Sequence, residues 1–272
     1  MLGGIDSFPL LAVPMFVLAG ILMAHGKISE KLFDVFVYFL GNKRAGIPCA
    51  VIITCLFYGA ISGSAPATVA AVGSMTIPLL IELGYEKDFS TAIVAVAGGL
   101  GVIIPPSIPF IMYAMATGES VSDLFLAGIV PGMMISALLI FYAYYYCRRH
   151  GEDREKIQAK MDQLKTKGFV NILKESIWAL LSPVIVLGCI YSGVASPTEA
   201  AVISVFYSLF VSLFIYKSIK VKQIWGIMVE AMKTYAPILF ILATSTAFSR
   251  VLTLMQVPQD VSACLLYTSD AA

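Results

Sequence analysis

Charged residues are scarce in this chain. Of its 272 residues, 13% are Asp, Glu, Lys or Arg and 59% are hydrophobic. A soluble domain carries about 25% charged residues, so the composition excludes a soluble globular protein and predicts a membrane protein with several spanning helices. The formal net charge is only +1, which excludes the strongly basic surface with which proteins bind nucleic acid.

Histidines and paired cysteine motifs are scarce as well. The two histidines, His25 and His150, lie at the ends of hydrophobic segments, and the five cysteines form no CxxC or Cys/His spacing. This pattern argues against a disulfide scaffold and against a zinc site. The hydrophobic stretch around Ser62 and Ser64 contains no His, Asp or Lys that would activate a serine nucleophile. The sequence therefore predicts neither an enzyme nor a bound cofactor.

Hydrophobic segments make up most of the chain. They cover residues 8–26, 46–83, 90–117, 124–147, 177–193, 198–216 and 235–255. The long polar stretch Arg148–Lys174 holds eight Lys or Arg residues, and the positive-inside rule places it in the cytoplasm. Counting crossings from this loop makes segment 46–83 begin and end on the cytoplasmic side.

Segment 46–83 is interrupted at its middle by Gly59–Thr68 (GAISGSAPAT). Neither flank reaches the roughly 20 residues that cross a bilayer core as one helix, so we predict a re-entrant hairpin. Backbone that leaves the helix at membrane depth needs cover from protein or water. The hairpin tip would present small polar groups to an ion or an anion; close packing of helices by small residues is the alternative. The candidate residues at the tip are Ser62, Gly63, Ser64, Ala65 and Thr68.

A second break lies in segment 90–117, at Gly98–Pro109 (GGLGVIIPPSIP). Its prolines remove backbone donors and disfavour helix in the residues before them. We therefore expect a broken helix whose free carbonyls could line a cation site; a proline kink satisfied by neighbouring helices is the alternative. The candidate residues of this break are Gly99, Gly101, Pro105, Pro106 and Ser107.

Three further features have local explanations. The apolar residues of Ile28–Leu40 recur on one helical face, which predicts an amphipathic helix at the membrane interface. Glu199 follows Ser196 at capping-box spacing, so we interpret it as a helix cap. Arg250 lies near the outer end of its segment and is expected to extend toward the interface. Asp6 is the third charged candidate for a site, besides Glu199 and Arg250.

Four motifs together resemble a known family. They are Ser7–Gly20 (SFPLLAVPMFVLAG), Gly59–Gly73 (GAISGSAPATVAAVG), Gly98–Pro109 and Ser192–Ala201 (SGVASPTEAA). Their order resembles that in the large membrane subunit of tripartite ATP-independent periplasmic (TRAP) transporters, over roughly residues 3–260. The resemblance implies an all-α elevator-type fold of inverted repeats, with one re-entrant hairpin and one broken helix present and their symmetry mates missing.

The resemblance also implies a function. Such a permease uses a sodium gradient to import an organic acid anion, for example a C4-dicarboxylate or sialic acid, across a bacterial or archaeal cytoplasmic membrane. Its partners are a small membrane subunit and a periplasmic substrate-binding protein. Sodium would be bound by Ser62, Ser64 and Gly99. A sodium/dicarboxylate carrier without a binding protein, or an ion channel, is the alternative.

The resulting division of the chain has seven parts. They are a scaffold transmembrane helix (1–26), an interfacial arm (27–45), a transport unit of hairpin and broken helix (46–123), a transmembrane helix (124–147), a cytoplasmic loop (148–176), the start of a second inverted repeat (177–263) and a tail foreign to the fold (264–272).

Overall fold

The computed structural model describes residues 8–166 and 168–270, so Asp6 and the last two residues of the predicted tail lie outside it. Within these ranges all regular structure is helical. The α-helices are α1 (Ala12–His25), α2 (Ile28–Leu40), α3 (Gly46–Ser62), α4 (Ala65–Glu82), α5 (Lys87–Gly98), α6 (Ile108–Thr117), α7 (Val121–His150), α8 (Arg154–Thr166), α9 (Phe169–Tyr191), α10 (Pro197–Phe210), α11 (Val221–Leu254) and α12 (Val257–Asp270). Short 3-10 turns cover Phe8–Leu11 and Gly99–Val102, and α10 continues into a π-helical turn at Val211–Ile215.

Six helical stretches among the described residues are long and apolar enough to cross a membrane. They are Phe8–His25, Ala65–Glu82, Val121–His150, Asn171–Tyr191, Pro197–Ile215 and Val221–Leu254. The prediction of an all-α, multi-pass membrane protein is therefore confirmed. One detail differs, because α4 is itself long enough to qualify, whereas we expected both flanks of the first break to be too short.

The first predicted break is a helical hairpin. Helix α3 ends at Ser62 and α4 begins at Ala65. Ile47 near the start of α3 lines the same cavity as Leu79 near the end of α4, so the two arms run antiparallel. The backbone N–H of Ala45 and the hydroxyl of Tyr85, at the two open ends, both bond to Glu152. Both ends of the segment thus meet the polar loop after α7, as the charge pattern predicted.

Two apolar clusters surround the hairpin. One joins α2, α3, α4 and α5 to parts of α7, α8 and α9, and Tyr58 is among its fully buried side chains. The other joins α1, α6, α10 and α11 around Phe16. The hairpin and the broken helix therefore lie between α1 on one side and α7 on the other.

Several boundaries differ from the sequence predictions. The segment predicted at 235–255 is part of a 34-residue helix that begins at Val221. The loop predicted at 148–176 contains helix α8 and the first turns of α9. Helix α2 has the predicted bounds, and its apolar face, including Leu32, packs in the cluster with α3. In the described backbone α12 runs through to Asp270, so no structural boundary marks residue 264.

Candidate functional site

The hairpin tip is a two-residue turn, Gly63 and Ser64. Gly63 adopts a left-handed conformation with φ +62°, and a Cβ there would lie 2.9 Å from the carbonyl oxygen of Pro106. Glycine is therefore required both by the backbone conformation and by the space. Ser64 is extended and begins α4, with Pro66 in the first turn. Proline is favoured there because its missing N–H would have no helical partner.

Three oxygen atoms gather at this tip. The Thr68 hydroxyl donates to the Ser64 carbonyl oxygen at 2.9 Å, and the Ser62 Oγ lies 3.0 Å from Thr68 Oγ1 and 3.4 Å from the Ser64 carbonyl oxygen. Ser62 and Thr68 are fully buried, and Ser64 is 8% exposed. The hydroxyls thus point inward, onto one compact group of neutral oxygens, rather than toward lipid.

The second predicted break lies directly against the first. Helix α5 ends at Gly98, the 3-10 turn follows, and α6 begins at Ile108. The Ile108 backbone N–H donates to the Gly63 carbonyl oxygen at 3.2 Å. A Cβ on Gly101 would lie 2.4 Å from Thr68 Oγ1, and one on Gly59 would lie 2.5 Å from the Gly101 Cα. The two breaks are therefore in backbone contact.

The broken helix supplies its own cap. The Ser107 hydroxyl donates to the Val102 carbonyl oxygen at 2.6 Å and accepts from the Phe110 N–H at 3.4 Å. The Pro105–Pro106 peptide is cis. Ser107 thereby satisfies one carbonyl freed by the break and one amide at the start of α6. Its side chain supports the loop in this arrangement.

Gly99 differs from Gly101. No atom of the described residues lies within 4 Å of the position that a Cβ on Gly99 would take. Gly101, in contrast, touches Thr68 and the carbonyl oxygen of Ser64. Of the two predicted glycines in the 3-10 turn, Gly101 is the one whose Cα faces the oxygen group.

Helix termini meet at the same point. Helix α3 ends at the tip, α4 starts there, and the start of α6 is bonded to it. Helix N-termini carry partial positive charge and attract anions. Helix C-termini and unwound carbonyls attract cations, which is how discontinuous helices hold ions and anionic substrates in transporters. The geometry therefore suits a small cation beside a carboxylate.

Sequence reasoning missed the wall of the site that α1 forms. The Tyr58 hydroxyl donates to the Gly20 carbonyl oxygen at 2.7 Å in a fully buried position. A Cβ on Gly20 would lie 3.0 Å from the Ser62 Cβ. Gly20 therefore lets α1 approach the hairpin tip closely. The signal available in the sequence was that Gly20 closes the Ser7–Gly20 motif.

A cavity of about 440 Å³ adjoins this wall. It is lined on one side by α4, including Pro66 and Ala70, and on the other by residues of α1, α2 and α11. His25 and Glu230, which pair at 2.9 Å, lie in its lining. This volume is within the usual range for small-molecule sites.

Two charged residues that the sequence singled out, Glu199 and Arg250, lie away from the hairpin tip. Glu199 forms the predicted capping box, accepting from the Ser196 N–H at 2.7 Å while its own N–H donates to Ser196 Oγ at 3.3 Å. Arg250 lies in a separate cavity of about 600 Å³ between α6 and α11. Neither residue contributes to the hairpin tip.

The comparisons with known proteins agree with these observations. The family model described as "Tripartite ATP-independent periplasmic transporter, DctM component" matches residues 1–272. The isethionate TRAP transporter permease protein DctMQ of Oleidesulfovibrio alaskensis is 42% identical over 262 residues, which are 96% of this chain and 40% of that protein.

Two further relatives cover the chain equally well. The C4-dicarboxylate TRAP transporter large permease protein DctM of Pseudomonas aeruginosa is 38% identical over 94% of this chain and 59% of its own length. The 2,3-diketo-L-gulonate TRAP transporter large permease protein YiaN of Escherichia coli is 35% identical over 96% of this chain and 60% of its own length. The chain thus spans 40–60% of the length of these relatives, whose names describe permeases and not enzymes. It belongs to the DctM component family of tripartite ATP-independent periplasmic transporters.

Proposed function

We propose that this chain is part of the membrane permease of a sodium-coupled secondary transporter in the bacterial inner membrane. The transporter imports an organic acid anion that a periplasmic binding protein delivers, and a small membrane subunit completes it. The observation that carries this proposal is the backbone contact between two consecutive helix breaks, with a buried oxygen group at the junction.

The donor set fits a monovalent cation. The Ser62 and Thr68 hydroxyls and the Ser64 carbonyl are neutral oxygens, which a hard cation prefers over nitrogen or sulfur ligands. Among the described residues no carboxylate shares the site, so a singly charged ion is favoured over Ca²⁺ or Mg²⁺, which usually take acidic ligands. Ser62, Ser64 and Thr68 would hold the ion, and carbonyls of the Gly99–Val102 turn are the remaining candidates.

The substrate carboxylate would lie at the N-termini of α4 and α6. Both helices start at the junction, and the partial positive charge of helix N-termini favours an anion there. Binding of a cation beside these termini would stiffen the tip and add attraction for the anion. The hairpin and the broken helix, as one transport unit, would then move against a scaffold that includes α1 and α11.

The relatives support the substrate class. The three compared above are named for isethionate, C4-dicarboxylates and 2,3-diketo-L-gulonate, all of them organic acid anions. Their names also place them in TRAP transporters, and the matching family model is described as a tripartite ATP-independent periplasmic transporter. The chemistry shared by these names is the anionic group, which matches the helix termini at the tip.

The test uses a matched pair of threonines on α4. Thr68 and Thr76 are both fully buried, and each hydroxyl bonds the carbonyl oxygen four residues earlier, at 2.9 and 2.8 Å. Only Thr68 belongs to the oxygen group. Uptake of radiolabelled C4-dicarboxylate is measured in proteoliposomes that hold the complete gene product with its partners, with and without a sodium gradient.

We expect Thr68→Val to weaken sodium dependence by about tenfold or more, as for loss of one strong oxygen contact, while Thr76→Val retains it. Ser62→Ala and Ser64→Ala extend the test to the other residues. Sodium dependence that is unchanged in Thr68→Val and in Ser62→Ala would contradict the site. Uptake that does not need the binding protein would instead favour the carrier alternative, and single-channel currents would favour a channel.

A further inference from the structure

Glu152 lies in the polar loop after α7, but its carboxylate is buried. Its side chain is 3% exposed, whereas that of the neighbouring Arg154 is 54% exposed. Removing a carboxylate from water is costly unless hydrogen bonds or an opposite charge compensate it. The burial of Glu152 therefore points to specific partners, and the proposed ion site does not account for them.

One oxygen of Glu152 bonds both open ends of the hairpin. Its Oε1 accepts from the Ala45 backbone N–H at 3.0 Å and from the Tyr85 hydroxyl at 2.6 Å. Ala45 immediately precedes α3, and Tyr85 follows α4. The other oxygen, Oε2, lies 3.8 Å from the Arg154 guanidinium. A single side chain thus joins the two ends of the hairpin segment, Ala45 and Tyr85, which lie 40 residues apart in the sequence.

Both donors suit this role. Ala45 has a left-handed backbone, φ +57°, and its N–H donates to Glu152. Tyr85 is 7% exposed. Burial raises the pKa of Tyr85, and the hydrogen bond to the Glu152 carboxylate raises it further. The phenol therefore stays protonated and remains a donor at physiological pH.

The end of α7 also contacts the connection between α4 and α5, through Tyr146. The Tyr146 hydroxyl donates to Glu86 Oε2 at 2.6 Å, and the Tyr146 ring stacks on that of Phe89 with centroids 3.9 Å apart. A Cβ on Gly84 would lie 3.3 Å from the Asp153 Cβ. The connection between hairpin and α5 is therefore held along its length by α7 and the loop that follows it.

We propose that Glu152 is a positioning residue that fastens both ends of the hairpin to the end of α7. The hairpin, α5 and the end of α7 then move as one rigid body, and the tip is the part left to respond to ligand. The consequence for transport rests on the proposed function; the fastening itself does not.

The first measurement is hydrogen–deuterium exchange on the complete gene product in detergent. Glu152→Ala removes the oxygen that accepts from the Ala45 N–H and from the Tyr85 hydroxyl. We therefore expect amide exchange at Ala45 and around Tyr85 to accelerate roughly ten- to a hundredfold, as for loss of bonds to a buried charged group. Tyr85→Phe removes one bond only and should accelerate exchange around residue 85 while Ala45 stays protected. Glu155→Ala, an exposed change in the first turn of α8, is the control.

The second measurement separates positioning from general damage. In the uptake assay we expect Glu152→Ala to lower the maximal rate several-fold with little change in KM, because the tip and its ligands are untouched. Glu152→Gln keeps an oxygen acceptor and should restore most of the rate. A KM that rises in parallel with the loss of rate would overturn the positioning role.

The outcomes distinguish this proposal from the proposed function. Unchanged exchange at Ala45 in Glu152→Ala overturns the fastening, whether or not the protein transports. If Glu152→Ala does not fold, Tyr85→Phe still tests the proposal. Exchange that accelerates equally at Ala45 and around residue 85 in that variant would contradict the two separate hydrogen bonds. A wild-type protein without sodium-dependent uptake contradicts the proposed function, and the exchange data then test the fastening alone.

Discussion

Replacing Gly101 by alanine is the sharpest test of the contact between the two helix breaks. A Cβ at this position would lie 2.4 Å from Thr68 Oγ1, 3.0 Å from the Ser64 carbonyl oxygen and 3.2 Å from the Thr68 Cβ. Thr68 has no room to move away, because it is fully buried and bonded to Ser64 and Ser62. The added methyl group must therefore push the hairpin and the broken helix apart.

Gly99→Ala provides the matched control. Both glycines lie in the same 3-10 turn, and no atom of the described residues lies within 4 Å of a Cβ on Gly99. Each change lowers the backbone entropy of the unfolded chain by a similar amount, about 0.4–1 kcal/mol. The difference between the two variants therefore isolates the steric effect, which for an added carbon in a packed site is about 1–3 kcal/mol.

The assay is thermal unfolding of the purified protein, repeated over a series of sodium concentrations. We expect Gly99→Ala to melt at or slightly above the wild-type temperature and Gly101→Ala to melt clearly below it. Gly101→Ala should also lose sodium-dependent stabilisation, since a ligand that binds the folded state raises its stability. Equal melting temperatures in the two variants would refute the contact and, with it, the geometry of the site.

Three further predictions concern other parts of the molecule. Tyr58→Phe removes the 2.7 Å hydrogen bond to the buried Gly20 carbonyl oxygen and should cost about 0.5–1.5 kcal/mol, measured as a lower melting temperature. An unchanged value would contradict the role of Tyr58 in joining α1 to the hairpin. Because the pKa of Tyr85 is raised in the folded protein from its usual 10, the unfolded state loses this proton first as the pH rises. Stability should therefore fall above pH 10, and the fall should be shallower in Tyr85→Phe; parallel alkaline melting curves would argue against it. Ser196→Ala removes the hydroxyl of the capping box and should destabilise the protein by about 1 kcal/mol. Ser192→Ala, directly after α9, should have a smaller effect in the same melting experiment.

Local chemistry explains why the two breaks were predictable from the sequence. Glycine and proline act on their own backbone and on the residue before them, so the ends of α3 at Ser62 and of α5 at Gly98 follow from nearby residues. The cap at Ser196 is local for the same reason. The start of α11 was misplaced because Val221–Thr234 is only moderately apolar and was not counted with the hydrophobic segment 235–255. The helix nevertheless runs without interruption from Val221.

Contacts between distant segments were beyond the reach of sequence reasoning. The approach of Gly20 to Ser62, the choice of Gly101 rather than Gly99, and the bonds from Glu152 to Ala45 and Tyr85 join residues far apart in the chain. Neither helical periodicity nor residue propensity predicts which distant residues come into contact. Glu152, read in sequence, is one more charge in a polar loop.

By itself, then, the sequence determined the class of protein, the rough bounds of most of the apolar helices, the positions of both breaks and the family resemblance. Those properties depend on composition and on interactions within a few residues. The tertiary structure decided which oxygens meet, which glycine faces them and what fastens the hairpin at its base. These depend on how the helices pack, and packing selects a few close contacts among many that the same local pattern would allow.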